Sequence, residues 1–327
     1  ARAREIAGMT GSVELEIKEL DCSAASELTR FRGEGLVFRN ECPQMDECAA
    51  KELLQLDPNV LRIENLYACS HANAIKHKTL LALGRYVGGI LNLQGLPSLN
   101  PVSAQALSEF HGCQLLVYQK VLDVETARCL SLAGPDLLSV NVGRLDKEVA
   151  RALSRSRAID DLQIVVKTAI DAPIASELAQ YQGGCLWVSW HGDDRIDEEI
   201  ARALASVPGA LRLEIEEIGH QVAKALATHT GDLDLACLET LDVETARELG
   251  KAQCSRLILD GLSSLDAAVA VELAKYGSEE QQWTSIAMPE TPEEFVKHAL
   301  AVLSGKRFPG PQLVSPERGI AQILRNP

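Results

Sequence analysis

The chain is poor in aromatic residues: 3 Trp, 5 Tyr and 5 Phe in 327 residues. Its core must therefore come from Leu, Val, Ile and Ala. It is also poor in positive charge, with a formal net charge of −14. That excludes a sequence-independent nucleic-acid binder, which needs clustered Lys and Arg, and it disfavours docking on an anionic membrane surface. Long apolar runs are missing. The best stretch, Thr79 to Leu96, is broken by Arg85 and several glycines, so no membrane span is expected. No secretory leader is visible. The nine cysteines (22, 42, 48, 69, 113, 129, 185, 237 and 254) contain no C-x-x-C pair. Such scattered single cysteines read as small core residues of a reducing compartment, and the expected location is the cytoplasm.

Catalytic patterns are missing too. There is no phosphate loop, no G-x-G-x-x-G after a strand, no H-E-x-x-H and no G-x-S-x-G. The seven histidines are dispersed. Cys185 and His191 lie six residues apart across a strand, too far for the contact that a nucleophile–base pair needs. The acidic run Asp193-Asp194 with Asp197 and Glu198 reads as a charged turn before a helix. The expectation is a non-enzyme without metal or cofactor.

What the sequence has is a repeat. An L-x-L-x-x-L pattern recurs with first apolar positions at Leu15, Leu36, Leu61, Leu91, Leu115, Leu138, Leu162, Leu186, Leu211, Leu233 and Leu257. The gaps run from 21 to 30 residues and average about 24. Two clear copies are Leu91 to Leu107 and Leu257 to Leu273. The first half of each unit alternates with period two and predicts a short strand. The second half carries an Ala-x-x-Leu pair, such as Ala127/Leu130 or Ala246/Leu249, and predicts one face of a helix. Asp or Asn stands before the helix in nine of eleven units, from Asp21 to Asp266, as an N-cap. Gly follows the closing Leu by four or five residues in eight units, which predicts a left-handed helix stop. A unit this short buries its apolar face only against its neighbours.

These units resemble the leucine-rich repeat family, in particular bacterial variants reading L-x-L-x-G-L-x-x-L followed by a helix with A-x-x-L. The resemblance covers about residues 13–277. It implies an α/β leucine-rich repeat solenoid of about 11 strand–helix units, with a parallel sheet on a concave face and helices on the convex face. It also implies protein binding as the commonest use. The inner-turn Asn or Cys of better-known members is replaced here by Leu96, Leu238, Leu262 and similar residues. The turns are therefore expected to be held by apolar stacking.

Three stretches leave the pattern. About six extra residues fall within Tyr67 to Thr79, which includes His71, His77, Lys76, Lys78 and Cys69; a surface loop is expected there. Residues 1–12 read as the end of a preceding repeat or an N-terminal cap. Residues 278–327 read as a C-terminal helical cap and tail, with a helix starting at Thr291-Pro292 and stopping at Gly305.

Alternation assigns the outward strand positions. Most are polar. In the middle of the chain Leu116, Tyr118, Val165 and Trp187 place apolar groups outward, with Ser189 and Arg212 beside them. Trp, Tyr and Arg dominate interface energetics. These six are the candidate protein-binding residues, and the expected function is a non-catalytic scaffold for another protein, within a larger chain or assembly. Two alternatives stay open: a structural spacer, and an extracellular glycan or peptide binder.

Overall fold

The computed structural model describes residues 2–15, 19–33, 35–38, 44–45, 47–53, 55, 61–63, 90–93, 99–190, 196–273 and 275. The Tyr67–Thr79 insertion, the polar turn at 191–195 and the cap and tail at 278–327 lie outside the described residues. The chain forms two compact units, residues 1–168 and 169–327.

In the first unit seven parallel strands pair in the order β1 (Ser12–Leu15), β3 (Gly35–Phe38), β5 (Leu61–Ile63), β6 (Ile90–Leu93), β7 (Gln114–Gln119), β8 (Leu137–Val142) and β9 (Asp161–Val166). A short second ladder joins β2 (Glu19–Leu20) to β4 (Gln44–Met45). In the second unit β10 (Cys185–Trp190), β11 (Ala210–Glu214), β12 (Asp232–Asp234) and β13 (Arg256–Ile258) pair in sequence order, all parallel. Helices of seven or eight residues follow most strands, for example Val124–Ser131 and Lys147–Leu153 in the first unit and Glu198–Leu204 and Val243–Leu249 in the second.

The anchors behave as the alternation requires. Leu115 and Val117 are fully buried, while Leu116 and Tyr118 between them are half-exposed. The Ala-x-x-Leu pairs face inward: Ala127, Leu130, Ala150, Leu153, Ala246 and Leu249 are all fully buried. Leu122 and Leu145, just before the N-cap residues, close the strand-to-helix turn from inside. Leu238 and Leu262 are buried, so apolar stacking does fill the inner turn; Leu96 lies outside the described residues. Asp21, Asn100, Asp123, Asp146, Asp171, Asp197, Asp242 and Asp266 each accept the backbone N–H three residues on. Each such cap is worth about 1 kcal/mol, which matters for two-turn helices that are marginal alone.

Three expectations are corrected. First, the register sets Leu15 opposite Phe38, Phe38 opposite Ile63 and Ile63 opposite Leu91. Phe38 and Ile63, rather than Leu36 and Leu61, are thus in line with the other anchors. The shift is two residues, so the faces are kept, but Arg62 stands opposite Ile90 and not Asn92.

Second, glycine is not a left-handed helix stop here. The C-cap residues, such as Thr29, Leu132 and Ala179, are all right-handed. Among the described glycines only Gly11 has a positive φ, of 89°. A different arrangement recurs in several units. Three residues past the closing Leu stands a buried side chain: Phe31, Phe110, Tyr181 or His229. A Cβ on Gly33 would lie 2.3 Å from the tip of the Phe31 ring, and one on Gly183 would lie 2.1 Å from the Tyr181 hydroxyl. Glycine makes room for the ring two residues before it.

Third, the cysteines are not all core thiols. Cys22 and Cys48 form a disulfide with Cα atoms 5.2 Å apart. They lie in the first turns of the helices Cys22–Leu28 and Glu47–Leu53 of adjacent repeats. Their separation of 26 residues is about one repeat, so stacking brings them together. Of the free cysteines described, Cys254 is buried and Cys113 is exposed.

Candidate protein-binding face

In the first unit the outward residues of β7, β8 and β9 form two rows. One row is Leu116, Ser139 and Gln163. Leu116 is half-exposed, and the buried Ser139 hydroxyl donates to the Gln163 side-chain oxygen at 2.6 Å. The next row is Tyr118, Asn141 and Val165. Tyr118 and Asn141 are half-exposed; Val165 is only 9% exposed. Behind Tyr118, the buried Gln119 side chain accepts the Leu99 amide at 2.8 Å and donates to the Tyr118 carbonyl at 2.6 Å. That bridge between repeats fixes the end of β7. On the faces of β7 to β9 the accessible apolar side chains among the candidates are therefore Leu116 and Tyr118.

In the second unit Trp187, Arg212, Asp234 and Ile258 stand side by side on β10 to β13. Leu186 and Val188 are buried, and Trp187 between them is half-buried, so the tryptophan is on the strand face as alternation requires. The Arg212 guanidinium stacks over its ring, 4.1 Å from the centroid. The indole N–H donates to Glu214 at 3.0 Å. Arg212 also faces Asp234, with Nε 3.6 Å from the carboxylate. Asp234 is itself held by the Ala236 amide at 2.9 Å. With the Arg212 side chain 37% exposed, each contact is weak. The cation–π contact is worth about 0.5–1 kcal/mol and the ion pair below about 1 kcal/mol. Together they fix the rotamers of Trp187 and Arg212.

Ser189 does not fit the expected role of a contact residue. It is 2% exposed, because this short side chain lies between Trp187, two residues back, and Glu214 opposite. Val165 is nearly as covered. Of the six candidates, Leu116, Tyr118, Trp187 and Arg212 are accessible. Sequence reasoning missed Glu214 and Asp234 as the groups that hold the Trp–Arg pair. The signal was available, since both lie one repeat from a candidate residue in the outward rows.

The surroundings carry little chemistry. Burial chiefly, with help from Glu214, pushes the Cys237 thiol up; burial, with Glu125 and Asp123, does the same for Cys129. Both thiols are thereby less nucleophilic. Among the described residues no three of His, Cys, Asp and Glu gather as a metal-ligating group, and no helix is long and apolar enough to cross a membrane.

A parallel strand and a capped two-turn helix recurring about every 24 residues, stacked on an Ala-x-x-Leu and Leu core, define an α/β leucine-rich repeat fold. No protein-family model matches the chain, and no curated protein matches it. Two solved structures are similar to it. An internalin from Listeria monocytogenes is 16% identical, covering 82% of this chain and 77% of its own, with a TM-score of 0.39. A leucine-rich repeat protein from Leptospira interrogans is 14% identical, covering 92% and 84%, with a TM-score of 0.42.

Proposed function

We propose that the chain is a non-catalytic scaffold that binds another protein through its strand faces. The observation that carries this reading is the Trp187–Arg212 pair. An aromatic ring and a guanidinium, the two groups most often dominant in interfaces, stand on a strand face with their rotamers fixed by Glu214 and Asp234. Side chains ordered before binding lose less entropy on association. Leu116 and Tyr118 supply a second apolar patch on the first unit. A structural spacer needs no such groups. The test is an affinity capture with quantitative mass spectrometry, comparing the wild type with a Tyr118→Ala, Trp187→Ala variant of verified fold. A stoichiometric protein lost in the variant supports the reading; a partner retained in full removes the site from these faces.

A second reading concerns the compartment. The Cys22–Cys48 disulfide favours an oxidising environment over the cytoplasm. The same Trp and Tyr would then serve a peptide or glycan outside the cell. Alkylation of intact cells before lysis tests it: a protected Cys22–Cys48 pair supports oxidation in place, and two freely alkylated thiols support the cytoplasm.

A further inference from the structure

The chain carries a net charge of −14, yet one concavity of the first unit is cationic. Beside the helices Val124–Ser131 and Lys147–Leu153 lies a pocket of about 360 Å³. Its charged lining is Arg128, Arg151, Arg155, Arg157 and Glu148. Arg128 pairs with Glu125 at 2.8 Å and Arg151 with Glu148 at 2.9 Å. Arg155 and Arg157 are exposed and have no acidic partner among the described residues. The turn that carries them is fixed, since the Arg157 amide donates to the Ser131 carbonyl of the preceding repeat at 3.0 Å. The wall is apolar: Leu132 contributes a side chain 41% exposed, large for a leucine, together with Val124 and Ala152.

We propose that this pocket binds a small phosphomonoester. With both glutamate pairs counted, two guanidinium charges are left uncompensated, and a phosphomonoester carries nearly two negative charges at neutral pH. A guanidinium presents its N–H groups as a planar fork that matches oxyanion geometry, and such charge-assisted bonds are the strong ones. The volume lies at the small end of ligand sites, about 300–1,000 Å³. It holds the ester and one ring-sized body, with Leu132 and Val124 as the surface for that body. The site is separate from the strand faces and does not depend on the scaffold reading.

The test is calorimetric titration of the full chain at low ionic strength with phenyl phosphate, phenyl sulfate and inorganic phosphate. Phenyl phosphate is expected to bind with a Kd below about 1 mM. Phenyl sulfate, with a single charge, and inorganic phosphate, with no ring, are each expected to bind several-fold more weakly. An Arg155→Gln, Arg157→Gln variant is expected to weaken phenyl phosphate at least about tenfold. Both residues are exposed, and far-UV circular dichroism verifies that the variant is folded. No binding of phenyl phosphate up to about 10 mM, or equal binding by the variant, overturns the proposal. Equal affinity for the sulfate ester overturns the match of two guanidiniums to a dianion.

Discussion

Replacing Gly183 by Ala tests the packing logic of the repeats at one atom. The new methyl would lie 2.1 Å from the Tyr181 hydroxyl oxygen, 2.3 Å from Cζ and 2.9 Å from Cε1. Real contacts of this kind lie near 3.5–4.0 Å, so the ring must withdraw by more than an ångström. Tyr181 is fully buried, and a packed interior does not yield that much freely. Overpacking of this kind costs about 1–3 kcal/mol. The gain from a less flexible unfolded chain, about 0.4–1 kcal/mol, offsets part of it. A net loss of about 1–2 kcal/mol is expected, read in urea denaturation as a lower midpoint at unchanged slope. Tyr181→Leu alone also destabilises, by leaving a cavity. In the double variant the leucine gives the methyl room, so the double variant should lose less than the sum, with a coupling above about 0.5 kcal/mol. A neutral Gly183→Ala, or strictly additive losses, would refute the idea that glycine stands there for the ring.

Three further outcomes follow from the same geometry. The motif Asp-Val-Glu-Thr-Ala-Arg occurs at 123–128 and again at 242–247, but the buried Thr126 hydroxyl donates to Asp123 at 2.6 Å while the Thr245 hydroxyl is buried with no partner. Thr126→Val should cost about 1–2 kcal/mol and Thr245→Val should be neutral or stabilising; equal losses in denaturation experiments would contradict this. For Asp123, burial opposes the charged form, but the Thr126 hydroxyl and amide and the Glu125 amide outweigh it and hold the carboxyl below its usual value. Its contribution is complete above the unfolded value near 4 and is lost as pH falls through the lower folded value; in thermal melts the gap between wild type and Asp123→Asn should therefore close below about pH 4. Cys22→Ser should cost about 3.5 kcal/mol, the entropy of closing a loop of this length, and peptide mapping without reductant should find Cys22 joined to Cys48.

The repeat was legible because its signals are local. An alternating Leu, an Asp before the helix and Ala-x-x-Leu within it each act over a few residues, and from Leu91 on the described strand anchors lie in the register that the alternation requires. What escaped the sequence acts between repeats. Leu36 and Phe38 are both apolar and two residues apart in the chain, so the pattern alone could not say which aligns with Leu91. Gly183 has the spacing of a helix stop, and only the packed structure shows that it stands against the Tyr181 ring. Cys22 and Cys48 looked unrelated because stacking, not sequence spacing, joins them. At the candidate face, parity placed Trp187 and Tyr118 outward, but the covering of Ser189 by longer neighbours depends on side-chain size across strands. The arginine pocket was invisible for the same reason: its members come from two successive repeats.

As a proposed scaffold, the chain would bind a protein on its strand face through anchored aromatic groups. The direct measurement is the affinity of the captured partner, purified, for three single variants: Trp187→Ala, and as controls Val121→Ala and Ile159→Ala, exposed apolar residues outside the strands. Loss of a fixed aromatic anchor costs about 2 kcal/mol or more, roughly thirtyfold in affinity. That loss is expected for Trp187→Ala, and changes within about threefold for the controls. An unchanged Trp187→Ala beside a large loss in either control would contradict it.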